Sequence, residues 1–200
     1  FVFFKTYVEK EDFPKERNNQ KPKNVLDRWI VSRMNSLIKK ATKELEDYNP
    51  FTAVLAIENF FIEDLSLWYI RRSRKRFHKD NEKRKEAITT LYFVLLDLLK
   101  LIAPIVPFFA EEIYQELRQE NMPLSIHLFD WPQANEELID KELEEKIKIA
   151  RDIVSKILAE RAEKKIKVRQ PLNKAEIKNQ SLKEEKELIE IIKEEVNVKE

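Results

Sequence analysis

The sequence of 200 residues contains no glycine, whereas average usage of about 7% would give about fourteen. Glycine supplies the positive-φ positions and close backbone approaches on which phosphate-binding loops, dinucleotide-binding turns and nucleophile elbows depend. Those three motifs are therefore excluded. Two-residue β-hairpins also need residues with φ > 0, so they are disfavoured as well. The chain is expected to be mainly α-helical.

The charged residues are numerous but nearly balanced, with 38 Lys and Arg against 37 Asp and Glu. This balance excludes a protein that is basic over its whole surface, so any anion-binding site must be a local patch. The 42% of hydrophobic residues suffices for a buried core. With no cysteine and only two isolated histidines, His78 and His127, the sequence predicts no disulfide, no metal site and no catalytic residues. The lack of cysteine is consistent with a reducing, cytoplasmic location.

Capping signals and hydrophobic spacing divide the chain into three predicted regions. Residues 1–23 are expected to be the end of a helix begun upstream, followed by a charged linker. Residues 24–168 are expected to form a helical bundle, and residues 169–200 to begin a small, truncated α/β appendage. The bundle helices are predicted over residues 25–48, 50–77, 82–103, 107–120 and 136–165. Asn24 is predicted to cap the first of them, with Asp27 as an acid in its first turn.

The appendage is predicted to contain a strand at residues 174–178, a helix that Ser181 caps, and the start of a second strand at Asn197. A strand–helix–strand unit needs further strands to complete a sheet. The appendage is therefore expected to be incomplete within this chain.

The stretch from Leu91 to Ala110 is apolar enough to raise the possibility of a membrane span. Asp97 and Lys100 lie within it, and each would cost about 2.5–3.5 kcal/mol near the centre of a bilayer. Pro104 and Pro107 limit any single helix there to less than the length that a bilayer requires. The stretch is therefore predicted to be a core helix followed by a bend, with no membrane contact.

The second predicted helix begins as an apolar, amphipathic element. Helical spacing places Phe61, Leu65 and Trp68 on one face, which is expected to be buried. Together with Trp29 and Trp131, Trp68 is predicted to anchor the core rather than to stack on a ligand.

The same helix ends in five basic residues, Arg71, Arg72, Arg74, Lys75 and Arg76. Helical spacing puts Arg71, Arg74 and Lys75 on one face, with the other two beside them. Because the planar arginine side chain suits phosphate, the cluster is a candidate nucleic-acid contact. Favourable charge at a solvated helix C-terminus explains the same pattern, and the residue types alone leave both explanations open.

A second basic group follows the long helix predicted over residues 136–165, which is acidic at its start and basic at its end. Lys164, Lys167 and Arg169 belong to this group. Charges so distributed also complement the helix dipole, which is the purely structural explanation.

Five stretches of the sequence form a recognisable, ordered set: Leu26-Asp27-Arg28-Trp29-Ile30, Trp68-Tyr69-Ile70-Arg71-Arg72-Ser73-Arg74, Leu101-Ile102-Ala103-Pro104 with Pro107-Phe108 and Ala110-Glu111-Glu112-Ile113-Tyr114, Ser125-Ile126-His127-Leu128 with Asp130-Trp131-Pro132, and Lys167-Val168-Arg169-Gln170-Pro171-Leu172. Together they resemble the helical anticodon-binding domain of class I isoleucyl-tRNA synthetases, over about residues 24–172. The first and third stretches look similar in the valine, leucine and methionine relatives. The other three resemble the isoleucine enzyme in particular.

Two departures from the family pattern affect what is expected of this chain. The family often has glycine just before the Lys-Val-Arg-Gln-Pro stretch, where Lys165 and Ile166 stand here. The long helix must therefore end on a left-handed residue that is not glycine, or stop in another way. The catalytic His-Ile-Gly-His and Lys-Met-Ser-Lys-Ser motifs and the inserted editing domain are absent, so the chain alone is not expected to activate an amino acid.

The resemblance implies a parent enzyme that joins isoleucine to its tRNA with ATP and Mg²⁺, and a chain that binds the anticodon stem-loop and needs no cofactor itself. Its expected partners are the isoleucine tRNA and the catalytic domain of the parent chain. The five basic residues of positions 71–76 are expected to contact the RNA backbone, with Lys164, Lys167 and Arg169 as a second group. Arg169, Gln170 and parts beyond Glu200 are the candidates for base reading, and the sequence does not decide among them. The alternatives are a valyl-tRNA synthetase domain and a helical scaffold that binds only proteins.

Overall fold

The computed structural model describes residues 1–17, 21–78, 82–176, 182 and 185–199. By its internal contacts the chain forms two compact units, Phe1–Ile139 and Asp140–Glu200. The boundaries predicted after residues 23 and 168 do not coincide with this division, and they stay predictions.

The helices of the first unit confirm the predicted, mainly α fold. In the described residues they are α1 (Val2–Tyr7), α2 (Val25–Glu46), α3 (Pro50–Asn59), α4 (Arg71–Phe77), α5 (Glu82–Ile102) and α6 (Pro107–Leu117). The predicted cap of α2 is present, since the Asn24 side chain accepts a hydrogen bond of 3.0 Å from the Leu26 amide. Pro50 and Pro107 occupy the first turns of α3 and α6, as expected from their fixed φ.

A π-helical segment, Phe60–Ile70, joins α3 to α4. The backbone stays in the right-handed helical region at both junctions, so residues 50–77 form one helix, as predicted. The wider π turns change which side chains face inward. Phe60 is 1% exposed whereas Phe61 is 48% exposed, so the predicted burial of Phe61 is wrong. Leu65 and Trp68 are buried, as predicted.

Helix α5 lies in the core of the first unit, and residues 91–101 are buried on nearly every side. Its one buried acid, Asp97, accepts a hydrogen bond of 2.5 Å from Arg17 and lies 3.7 Å from the Lys100 ammonium. The helix ends two residues before Pro104. The prediction of a core helix is confirmed, and no helix in the described part of the chain has the length and apolarity to cross a bilayer.

The second unit consists mainly of α7 (Lys141–Glu163) and α8 (Lys186–Val196). Helix α7 begins later than predicted because Asp140 caps it, accepting from the Leu143 amide at 3.0 Å. Leu172 and Val198 form a single parallel bridge, and residues 174–176 form no strand. The described residues therefore do not confirm the α/β appendage; residues 177–178 and Ser181 lie outside them.

Among the residues that the structure describes, three helices end on left-handed residues that are not glycine: Tyr48 after α2 (φ 57°), Lys165 after α7 (φ 56°) and Asn197 after α8 (φ 52°). At the second end the Ile166 amide donates to the Arg161 carbonyl at 2.8 Å, and the Lys165 amide donates to the Ala162 carbonyl at 3.0 Å. This pair of bonds is a Schellman motif, which usually has glycine at the left-handed position. Of the two alternatives that the sequence left open, helix α7 therefore ends on a left-handed residue that is not glycine.

Replacing Lys165 by glycine is expected to raise the free energy of unfolding by roughly 0.5–1 kcal/mol, because a Cβ atom is unfavourable at positive φ. Lys165→Ala is the matched control, since it removes the same charge but keeps the Cβ atom. Urea unfolding followed by circular dichroism measures both. A glycine variant no more stable than the alanine variant would contradict this account of the helix end.

Candidate nucleic-acid interface

A buried cluster of three polar side chains holds α4 against the start of α2. The Arg76 guanidinium donates two hydrogen bonds to the Asp27 carboxylate, at 2.7 and 2.5 Å, and the Tyr69 hydroxyl donates a third at 2.7 Å. The Asp27 side chain is fully buried and the Arg76 side chain is 12% exposed. Asp27, expected from the sequence to be a first-turn helix acid, is therefore the centre of an internal anchor.

Burial governs the protonation of this anchor. It raises the pKa of the Asp27 carboxyl, while the Arg76 guanidinium and the Tyr69 hydroxyl lower it. Burial also raises the pKa of Tyr69 well above its usual value, and the neighbouring Asp27 charge adds to this rise. Tyr69 consequently stays protonated and remains a hydrogen-bond donor to Asp27.

The geometry separates the five basic residues of positions 71–76 into two classes. Arg76 serves the internal anchor, and the Arg72 guanidinium lies 4.6 Å from the centre of the Trp68 ring as a cation–π contact. Trp68 is 6% exposed, which confirms it as a core anchor. The predicted contacts of Arg72 and Arg76 with RNA are not tested by this arrangement and stay predictions.

Arg71, Arg74 and Lys75 are all exposed and share one side of α4; we call them the α4 basic face. Arg74 donates to the Tyr7 hydroxyl at 3.4 Å, and the Tyr7 ring is 4.7 Å from that of exposed His78. The backbone below this face is fixed by the anchor, so its cations are held at a defined place on the first unit.

One further cation close to α4 was not singled out from the sequence. Lys83 is exposed at the start of α5, and its carbonyl oxygen accepts a hydrogen bond of 3.2 Å from Arg76. The only signal for it in the sequence was the continued run of basic residues after position 76. Its placement depends on the packing of α5 beside α4, which no local pattern specifies.

The second basic group belongs to the second unit. Lys164, Lys167, Arg169 and Gln170 are all exposed. None of the three cations forms an ion pair with a carboxylate within the described ranges. Their charge is therefore available to an external anion, such as an RNA phosphate.

Residues 167–170 form a turn whose carbonyl groups are held from below; we call it the 167–170 turn. The Gln170 amide donates to the Lys167 carbonyl at 2.9 Å. The Arg161 guanidinium donates to the carbonyls of Lys167 and Gln170 at 2.7 and 2.5 Å. The Asn197 side-chain amide donates to the Val168 carbonyl at 2.9 Å. Neither Arg161 nor Asn197 was identified as part of a site from the sequence.

The chain is thus a helical module with exposed cations on the α4 basic face and on the 167–170 turn. Exposed cations on a folded helical surface are the chemistry expected of a nucleic-acid-binding protein. No three His, Asp or Glu side chains within the described residues come together as a possible metal site.

Comparison with known proteins identifies the family. Residues 27–177 match the family described as the anticodon-binding domain of tRNA ligase. The chain belongs to this family, and it is accordingly a tRNA-binding domain. The match includes both basic groups.

The curated proteins similar to this chain include several isoleucine–tRNA ligases. The enzyme of Chlamydia trachomatis serovar D is 44% identical over 205 residues, covering 99% of this chain and 19% of the relative. The enzyme of Protochlamydia amoebophila is 40% identical over 208 residues, covering 100% and 20%, respectively. That of Chlamydia muridarum is 43% identical over 173 residues, covering 86% and 17%. The chain thus spans about a fifth of these relatives, which favour the isoleucine family over the valine and scaffold alternatives.

Proposed function

We propose that this chain binds the anticodon stem-loop of an isoleucine tRNA and belongs to a longer isoleucine–tRNA ligase. The observation that carries the proposal is the α4 basic face, which lies within the matched domain and is held by the buried Asp27 anchor. An RNA stem-loop offers a ladder of phosphates and unstacked loop bases, so a rigid group of cations is a suitable partner for its backbone.

The ligase reaction itself is assigned to the rest of the longer enzyme. ATP and Mg²⁺ are expected to act there, together with the catalytic domain that is this chain's proposed intramolecular partner. The chain alone, which has neither catalytic motif, is expected to be inactive. We assign the protein to the cytoplasm, where tRNA is charged.

The proposal is tested by titrating the chain into labelled anticodon stem-loops of an isoleucine and a valine tRNA at equal ionic strength. The isoleucine stem-loop is expected to bind at least about fivefold more tightly, because a different loop base cannot form the same hydrogen bonds with the protein and this loss lowers the affinity. A hairpin with the same stem and a scrambled loop controls for binding to the stem alone.

Each other outcome of this titration contradicts part of the proposal. Equal affinity for both stem-loops would rule out isoleucine selectivity in this chain while leaving anticodon-arm binding intact. No binding to any RNA, even at low salt, would contradict the proposed function and favour a scaffold that binds only proteins.

A further inference from the structure

The 167–170 turn is held more firmly than a group of phosphate-binding cations requires. Three of its four carbonyl groups accept hydrogen bonds from side chains beneath it, two from Arg161 and one from Asn197. We call Arg161 and Asn197 the clamp of this turn. They come from different helices of the second unit, Arg161 from α7 and Asn197 from the end of α8.

The clamp carries an energetic cost. Arg161 is 3% exposed, and its Nε and Nη1 atoms have no hydrogen-bond partner among the described residues. A buried guanidinium with unsatisfied donors is unfavourable. Asn197 adopts a left-handed conformation, with φ 52°, and from there its side chain reaches the Val168 carbonyl. Unfavourable features of this kind persist where a defined geometry is useful.

The carbonyl groups of the turn accept hydrogen bonds from Arg161 and Asn197, while the side chains of the turn remain in solvent. Arg169 and Gln170 are adjacent and exposed. Both side chains can form paired hydrogen bonds to base edges, Arg through its guanidinium and Gln through its amide. Attraction to phosphate is nearly independent of direction, whereas hydrogen bonds to a base require a fixed approach. A rigid turn therefore suits the reading of bases better than phosphate binding alone.

We infer that the 167–170 turn reads unpaired bases of the anticodon loop through Arg169 and Gln170, and that Arg161 and Asn197 are the positioning residues that make this reading selective. The inference rests on the proposed function, because it names the part of the surface that distinguishes one loop from another. The α4 basic face supplies affinity for the backbone, and the turn supplies discrimination.

Asn197→Gly isolates the role of the clamp. Glycine accepts the left-handed conformation without strain, so only the hydrogen bond to the Val168 carbonyl is removed. The net charge is unchanged, so the salt dependence of RNA binding should also be unchanged. Tyr48→Gly is the matched control, since it places glycine at a left-handed position of the first unit, whereas the turn and both of its side-chain donors belong to the second unit.

The first measurement uses the protein without RNA. Hydrogen exchange of the Gln170 amide, which donates to the Lys167 carbonyl, reports on opening of the turn. Asn197→Gly and Arg161→Lys are expected to accelerate this exchange, while Tyr48→Gly leaves it unchanged. Exchange at the unaltered rate in both clamp variants would overturn the clamp itself, whatever happens with RNA.

The second measurement is a selectivity ratio, the dissociation constant of a stem-loop with a single substituted loop base divided by that of the isoleucine stem-loop. Substituting Arg169 and Gln170 together by alanine is expected to lower this ratio by roughly tenfold. Asn197→Gly is expected to lower it at least about threefold, with the slope of log affinity against log salt unchanged.

The remaining outcomes separate this inference from the proposed function. Salt-dependent binding with an unaltered ratio in Asn197→Gly would overturn the inference and leave the proposed function standing. Equal weakening for every stem-loop together with a lower melting temperature would show a merely structural role for Asn197. Failure of the unaltered chain to bind any RNA would overturn both.

Discussion

Replacing Arg71, Arg74 and Lys75 together by alanine is expected to weaken binding of the isoleucine anticodon stem-loop by at least about tenfold near 0.1 M salt. These are the exposed cations of the α4 basic face. Each phosphate left without its cation lowers the steepness of the plot of log affinity against log salt by about 0.7–0.9, so the loss of three contacts should lower it by about 2.1–2.7. A filter-binding titration at several salt concentrations measures both quantities.

The stability of this variant should change little, because the three side chains are exposed. The matched control replaces Lys39, Lys40 and Lys43, which are exposed near the far end of α2. That end is about 20 Å along the helix from the anchor residue Asp27, at 1.5 Å per residue. The control removes the same charge, so a similar decrease in affinity in both variants would show that only net charge matters, not the α4 basic face.

Replacing Arg76 by methionine is expected to reduce the free energy of unfolding by about 3–5 kcal/mol, because it leaves the Asp27 carboxylate buried without its cation. Asp27 is fully buried and accepts two hydrogen bonds from Arg76. For a chain of this size, such a reduction corresponds to a fall in melting temperature of roughly 10 °C. Thermal and urea unfolding followed by circular dichroism measure the effect.

The control for this prediction removes the whole anchor. In the variant Asp27→Leu, Tyr69→Phe, Arg76→Met, no buried charge or hydroxyl is left without a partner, so most of the stability should return. The same variant tests the predicted RNA contact of Arg76, because the fold is restored without its charge. A triple variant as unstable as Arg76→Met alone would contradict the internal role assigned to this arginine.

Much of the fold could be predicted because local signals specify it. The absence of glycine, the Asn24 cap and the proline positions correctly predicted a mainly helical chain and most of its helix ends. The burial of Leu65 and Trp68 follows from helical spacing alone. The predicted burial of Phe61 was wrong, because the π-helical segment places Phe60 in the core instead. No pattern of residues in the sequence indicated that segment.

The position of the candidate site could be predicted from the sequence, but not which of its basic residues are exposed and which hold the fold together. The exposed face of Arg71, Arg74 and Lys75 follows from their spacing along the helix. The sequence could not show that Arg76 lies inside, because its partner Asp27 is 49 residues away in the chain.

The sequence by itself determined the class of the fold, the family and the presence of two basic groups, since composition, caps and short motifs are properties of neighbouring residues. Only the tertiary structure decided which cations face solvent and which hold the protein together. It also decided that the 167–170 turn is clamped, because Asn197 reaches Val168 across 29 residues. Burial and hydrogen bonding between distant segments exist only once the chain has packed, and they give identical side chains different roles.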